Sequence, residues 1–179
     1  MRSLPQVPNI AVRLAVLLAV SLPAINAQDS AVTRAEYVEA WKASKAYTLA
    51  VAEAMPADGY DFRPTAGQFT FAVQMIHIAH ANYAWFTKVL DEPRSIADPN
   101  SEQKTDVLPY LEATFDYCIA AIERITPGQL TRAASGVPNR ANGTGRDALL
   151  NMYMHTAHHR GQAIIYLRLK GMTPPRYTY

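Results

Sequence analysis

The chain has 179 residues, of which 49% are hydrophobic and 18% charged, the balance of one globular domain long enough to bury a core. Its 17 basic and 15 acidic residues give a formal net charge of +2 with no charged run, which excludes the concentrated basic face that nucleic-acid binding needs. A single cysteine, Cys118, excludes an intramolecular disulfide, a thiolate zinc site and an iron–sulfur cluster built by this chain alone, so any metal must be held by nitrogen and oxygen ligands.

Residues 1–27 read as a secretory signal peptide, leaving a mature domain of residues 28–179. Arg2 supplies the positive start, and Arg13 precedes the apolar run Leu14 to Leu22. Pro23 breaks the run, and Ala24-Ile25-Asn26-Ala27 places a small residue at the cleavage edge. Cleavage is expected after Ala27, with Ala24 the second choice. The apolar run is shorter than the roughly 20 residues of a membrane span, and no cysteine follows it to carry a lipid. The expectation is a periplasmic or secreted protein with no membrane attachment. Loss of Arg2 and Arg13 would bring acidic and basic residues into balance.

No segment alternates apolar and polar residues long enough to make a strand, and four segments have helical periodicity. The first is expected from Thr33, with Thr33 and Glu36 at capping-box spacing, to near Met55, where Pro56 ends it. A loop marked by Asp58-Gly59, Pro64 and Gly67 follows. The second helix runs from near Thr70 to about Leu90 and carries Val73, Ile76, His77, His80, Ala81, Ala84 and Trp85. After a polar loop over 91–103, the third runs from about Thr105 to Ile125. Leu108, Leu111, Phe115, Cys118, Ile119 and Ile122 form its apolar face, and Pro109 is expected near its first turn, where the missing N–H costs nothing. Thr126-Pro127-Gly128 is read as its end and 131–143 as a loop. The fourth helix is expected from Thr144, at capping spacing with Asp147, to about Lys170, with Gly171 beyond its end and Pro174-Pro175 after that. Four amphipathic helices of about 20 residues predict an all-α four-helix bundle.

The five histidines fall in two patches, His77 and His80 on the second helix and His155, His158 and His159 on the fourth. His155 and His159 are one turn apart and point within roughly 40° of each other, the relation two imidazoles need to share an ion. Met152, Ala163 and Tyr166 lie on the same face, so it points inward, whereas His158 lies off this line, nearer the edge. His77 and His80 can each be reached from there. His77, flanked by the small Ala81 and Ala84, is preferred. An H-x-x-x-H pair alone is more often a core or surface pair than a ligand pair, and a third inward histidine shifts the balance toward metal. The fourth helix contains no glutamate, E-x-x-H is absent, and so is H-E-x-x-H, which excludes a ferritin-like di-iron centre and a zincin protease. Three histidines without an evident carboxylate ligand predict an open coordination position. Glu53, Asp58 and Asp61 are the acidic candidates for approach to the ion from the first loop. Cys118 reads as a small core residue rather than a nucleophile.

Two motifs carry a resemblance. His77-Ile78-Ala79-His80-Ala81-Asn82-Tyr83, after Phe69-Thr70-Phe71, and His155-Thr156-Ala157-His158-His159-Arg160-Gly161-Gln162, continuing to Tyr166-Leu167-Arg168 and Gly171 to Pro175, resemble the second and fourth helices of the DinB/YfiT-like family of metal-binding four-helix bundles. Tyr60-Asp61-Phe62-Arg63-Pro64 resembles that family's first interhelical loop. The likeness spans about residues 32–176. It implies His77, His155 and His159 as ligands of a divalent ion, zinc or nickel, with His80 as an addition to the family pattern. It also implies a homodimer and, in some relatives, thiol-dependent transfer or hydrolysis.

The expectation is an exported, metal-dependent hydrolase acting on a small molecule, with His158 or His80 moving a proton and Arg160 steadying an anionic group. The alternatives are a thiol-dependent transferase, for which export is unfavourable because thiol cofactors are mainly cytoplasmic, and a metal-binding, stress-linked bundle without turnover. For Arg160 a surface or capping ion pair is the competing role.

Overall fold

The computed structural model describes residues 27–134, 137 and 142–177, with side chains from Arg34 onward. The expected signal peptide lies almost wholly outside the described residues. Five helices follow one another: α1 (Ala27–Ala54), α2 (Phe71–Leu90), α3 (Lys104–Arg124), the short α4 (Pro127–Thr131) and α5 (Gly145–Leu169). Among the described residues there is no strand, only an isolated antiparallel bridge between Ala133 and Thr144.

The four long helices form a bundle in which α1 and α2 each pack against both α3 and α5. Consecutive helices α1 and α2 therefore occupy opposite corners, which is why a long connection joins them. That connection is ordered by its own contacts. A 3-10 turn at Ala57–Gly59 starts it, the buried Tyr60 donates its hydroxyl to Ala52 O at 3.0 Å, and its ring meets Phe71 edge-on at 5.2 Å. The start of α2 then uses the loop's acceptors. Phe71 N–H donates to Phe62 O, Ala72 N–H to Tyr60 O, and Val73 N–H to the Thr70 hydroxyl, so N–H groups that a helix start leaves open are satisfied.

At the centre, Trp41 of α1 is fully buried against Phe86 of α2, Phe115 of α3 and Tyr153 of α5, with ring centroids 5.1, 5.9 and 6.0 Å away. One aromatic ring thus touches every other long helix. Arg34 reaches Ile125 O, and Lys104 Nζ donates to Glu53 O and Met55 O, placing a cation at the C-terminal end of α1, where its dipole favours one.

Three boundaries differ from the sequence reading. The helix α1 already spans Thr33, so Thr33 is not its cap; the capping-box spacing with Glu36 recurs inside a helix without marking a start. The helix α3 begins at Lys104, which puts Pro109 in the second turn, where it removes a hydrogen bond that the helix would otherwise make. Thr126-Pro127-Gly128 does not merely end α3. It opens α4, with Thr126 and Gln129 forming a reciprocal capping box and Pro127 in the first turn. The other ends match. Thr144 and Asp147 cap α5 reciprocally, and Gly171, at φ 75°, closes it with N–H bonds from Gly171 to Arg168 O and from Met172 to Leu167 O.

Candidate metal centre

The helix α2 presents His77 and α5 presents His155 and His159, and the two helices are packed against each other. One nitrogen from each of the three rings lies within 4.8 Å of the others. The ring centroids are 4.9 Å apart for His77 and His155, 4.5 Å for His77 and His159, and 4.4 Å for His155 and His159. All three are half-buried. The contact between α2 and α5 is fixed next to them by the buried pair Asn82 and Thr156, whose side chains exchange hydrogen bonds of 2.8 and 3.2 Å.

His77 Nε2 and His155 Nε2 are 3.1 Å apart. Two nitrogens bound to one ion at about 2.05 Å are separated by roughly 2.9–3.4 Å between octahedral and tetrahedral angles, so this spacing fits a shared ion. His159 Nδ1–H donates to Gln74 Oε1 at 2.8 Å, which places its proton on Nδ1 and leaves the Nε2 lone pair available. The buried Nδ1 of His155 has no hydrogen-bond partner. Burial is the first cause holding all three rings below their ordinary pKa of 6.5, with charge repulsion from neighbouring histidines second. His155 and His159 are brought to about 4. Imidazoles that stay neutral at pH 7 are the form that binds metal, so the donor set fits a divalent ion.

Gln74, buried one turn before His77, is a residue that the sequence reading did not single out. It accepts from His159 and donates to Gln162 Oε1 at 2.7 Å and to the Tyr166 hydroxyl at 3.3 Å. Gln162 Nε2 in turn donates to His158 Nε2 at 2.8 Å, and Tyr166 donates to Phe69 O at 3.0 Å. The clue in the sequence was a glutamine on a mostly apolar helix, three positions from a histidine.

The remaining candidates go elsewhere. His158 is exposed at the rim, its ring 4.9 Å from that of His159. His80 is exposed and accepts from Arg94 of the α2–α3 loop at 2.8 Å, outside the three-ring cluster. The expectation that Arg160 steadies an anion at the site meets a different geometry. Arg160 is buried and directed at α1, where Nη1 donates to Ser44 O, Ser44 Oγ and Thr48 Oγ1 and the guanidinium lies 4.8 Å over the Tyr47 ring. It follows His159 by one position, and a rotation of about 100° carries it to a different face of the helix. The competing surface ion pair is not what forms either. Among the described residues no carboxylate joins the cluster: Glu53 pairs with Lys104 at 3.3 Å, and Asp58 and Asp61 are exposed. Cys118 is fully buried on α3, and burial pushes its thiol well above the usual range, in keeping with a core residue.

A model of the DinB superfamily matches residues 40–163, which contain all three histidines. Two solved structures share the fold. A DinB-like protein from Bacillus subtilis superposes with a TM-score of 0.65 at 20% identity, over 80% of this chain and 98% of that one. A DinB-like protein from Bacillus cereus superposes with a TM-score of 0.67 at 18% identity, over 80% of this chain and 95% of that one. No curated protein matches the chain. With its helical bundle and a three-histidine group able to hold a metal ion, the chain belongs to the DinB superfamily.

Proposed function

We propose that the protein holds one divalent ion, zinc or nickel, through His77, His155 and His159, and that it hydrolyses a small molecule at that ion. The observation behind this is the convergence of three neutral imidazoles from two helices, two of their nitrogens 3.1 Å apart, with no carboxylate among the described residues completing the set. When bound, such an ion supplies Lewis acidity at a position the protein does not fill. The chain's own groups do the rest. Gln74 holds the His159 ring by its Nδ1 proton, and the Asn82–Thr156 pair fixes the helices that carry the ligands. His158 Nε2 accepts from Gln162, which holds the exposed ring at the rim as the group that would pass a proton between the site and solvent.

Elemental analysis of the purified protein beside a His155→Ala variant tests the site; the expected result is about one ion per chain against almost none. Hydrolysis of p-nitrophenyl acetate by the loaded and chelator-treated protein tests the reaction, and a metal-free sample with undiminished rate would end the hydrolase reading. The lack of a carboxylate in the cluster among the described residues favours a second reading, a metal-holding bundle without turnover, under which neither sample is active. Acceleration only in the presence of a small thiol would point instead to the transferase. We also propose export after cleavage at Ala27, for which a mature N-terminus at Gln28 is expected, and homodimerisation, for which the exposed Leu150 and Met154 of α5 supply apolar surface.

A further inference from the structure

Beside the histidines lies a groove of about 570 Å³, bounded by the loop before α2 and by the C-terminal half of α5. That volume is within the roughly 300–1,000 Å³ of small-molecule sites. Its inner end is continuous with the cluster, because His159 lines it and the Phe69 ring on its wall is 5.5 Å from the ring of His77. Its outer wall is apolar. Phe69, Ile165 and Leu169 are 44%, 48% and 59% exposed, half of the six large apolar side chains left exposed among the described residues.

Of the polar side chains in the wall, those at the inner end are already engaged, while Gln68 lies exposed at the rim. Gln74 accepts from His159 and donates to Gln162 and Tyr166; Gln162 accepts from Gln74 and donates to His158; the Tyr166 hydroxyl accepts from Gln74 and donates to Phe69 O. No charged side chain lines the groove. A charged group entering it would lose water and meet no opposite charge in the wall, whereas an apolar one would cover exposed carbon.

We propose that this groove is the subsite for an uncharged, apolar substituent of the substrate, whose polar reacting group lies at the three histidines. This deepens the proposed function and rests on it for the polar end. The substrate class is then a small molecule with a polar, metal-seeking head and an aliphatic or aromatic tail. Charged peptides and sugars are disfavoured as tails.

The test is calorimetric binding of acetohydroxamate and octanohydroxamate to the zinc-loaded protein. The two share a metal-binding head and differ in tail. Octanohydroxamate is expected to bind at least 20-fold tighter. An Ile165→Asn/Leu169→Asn variant, altered at two exposed positions, is expected to cut that gain to under threefold while acetohydroxamate binds as before. Equal affinity of the two probes, or a gain that survives in the variant, would overturn the inference and leave the metal reading intact. Should the protein retain no zinc, the metal reading fails by itself, and the metal-free protein titrated with octanamide decides the groove. Shifts of the Ile165 and Leu169 methyl resonances support the subsite, and unmoved resonances overturn it. A dimer that the double substitution dissociates would assign this face to a second copy of the chain and overturn it as well.

Discussion

At the scale of single residues, the site is three rings and the groups that aim them. Gln74 is the most informative of the latter, because one amide holds His159 in the tautomer that leaves Nε2 free. Replacing Gln74 with Ala should weaken zinc binding by about 10–100-fold, the usual cost of losing a group that orients a ligand histidine. A competition titration against a chromophoric chelator measures it; an unchanged affinity would mean that the hydrogen bond is incidental. The same rings make the metal-free protein sensitive to acid. Their folded-state pKa values lie below 6.5, at about 4 for His155 and His159, so between those limits the unfolded chain binds more protons than the folded one. Stability is full above about pH 6.5 and is lost as pH falls toward about 4. Melting curves in the presence of chelator should show this slope, and a His155→Gln/His159→Gln variant should flatten it.

At the scale of elements, helical spacing made the pair His155 and His159 legible, whereas the choice of His77 over His80 drew also on the resemblance. His155 and His159 share a face because they are one turn apart, and the structure brings His77 to them. The same arithmetic, applied to Arg160, would have turned it away from the site, and its burial against Ser44 and Thr48 is the physical outcome. Capping motifs are less certain guides, since Thr33 lies inside α1 while Thr126, in a segment whose proline and glycine read as a stop, starts a helix. The junction of α4 and α5 contains a further constraint. A Cβ on Gly145 would lie 2.2 Å from Gln129 O, a backbone atom that cannot swing aside. Gly145→Ala should destabilise the protein by about 1–3 kcal/mol, the cost of overpacking a close contact. Gly161, in the middle of α5 with nothing within 4 Å of such a Cβ, should respond oppositely, with Ala adding about 0.5–1 kcal/mol. Urea unfolding of both variants reads the contrast.

At the scale of the whole molecule, the corner order of the bundle was not visible in the sequence. Four apolar faces predict that helices pack, not which pairs become neighbours; that is decided by the crossing connection through Tyr60 and by the large side chains at the centre. The resulting α2–α5 contact is what brings the three histidines together, so an ion held there would be linked to the fold. Zinc at a hundredfold excess over its dissociation constant should add about 2.7 kcal/mol of stability. For a chain of this size that corresponds to a rise in melting temperature of about 5–10 °C. The rise should vanish in His155→Ala, and a rise that persisted there would place the ion elsewhere.

His77 and His155 are 78 positions apart in the chain. An ion between them behaves as a removable cross-link, closing a loop that contains α3 and α4. The entropy of that closure must be lost before the third ring can arrive, which makes the complete triad a late product of chain collapse. Zinc should therefore leave the refolding rate of the chain nearly unchanged and slow its unfolding, a division that stopped-flow traces with and without the ion would display.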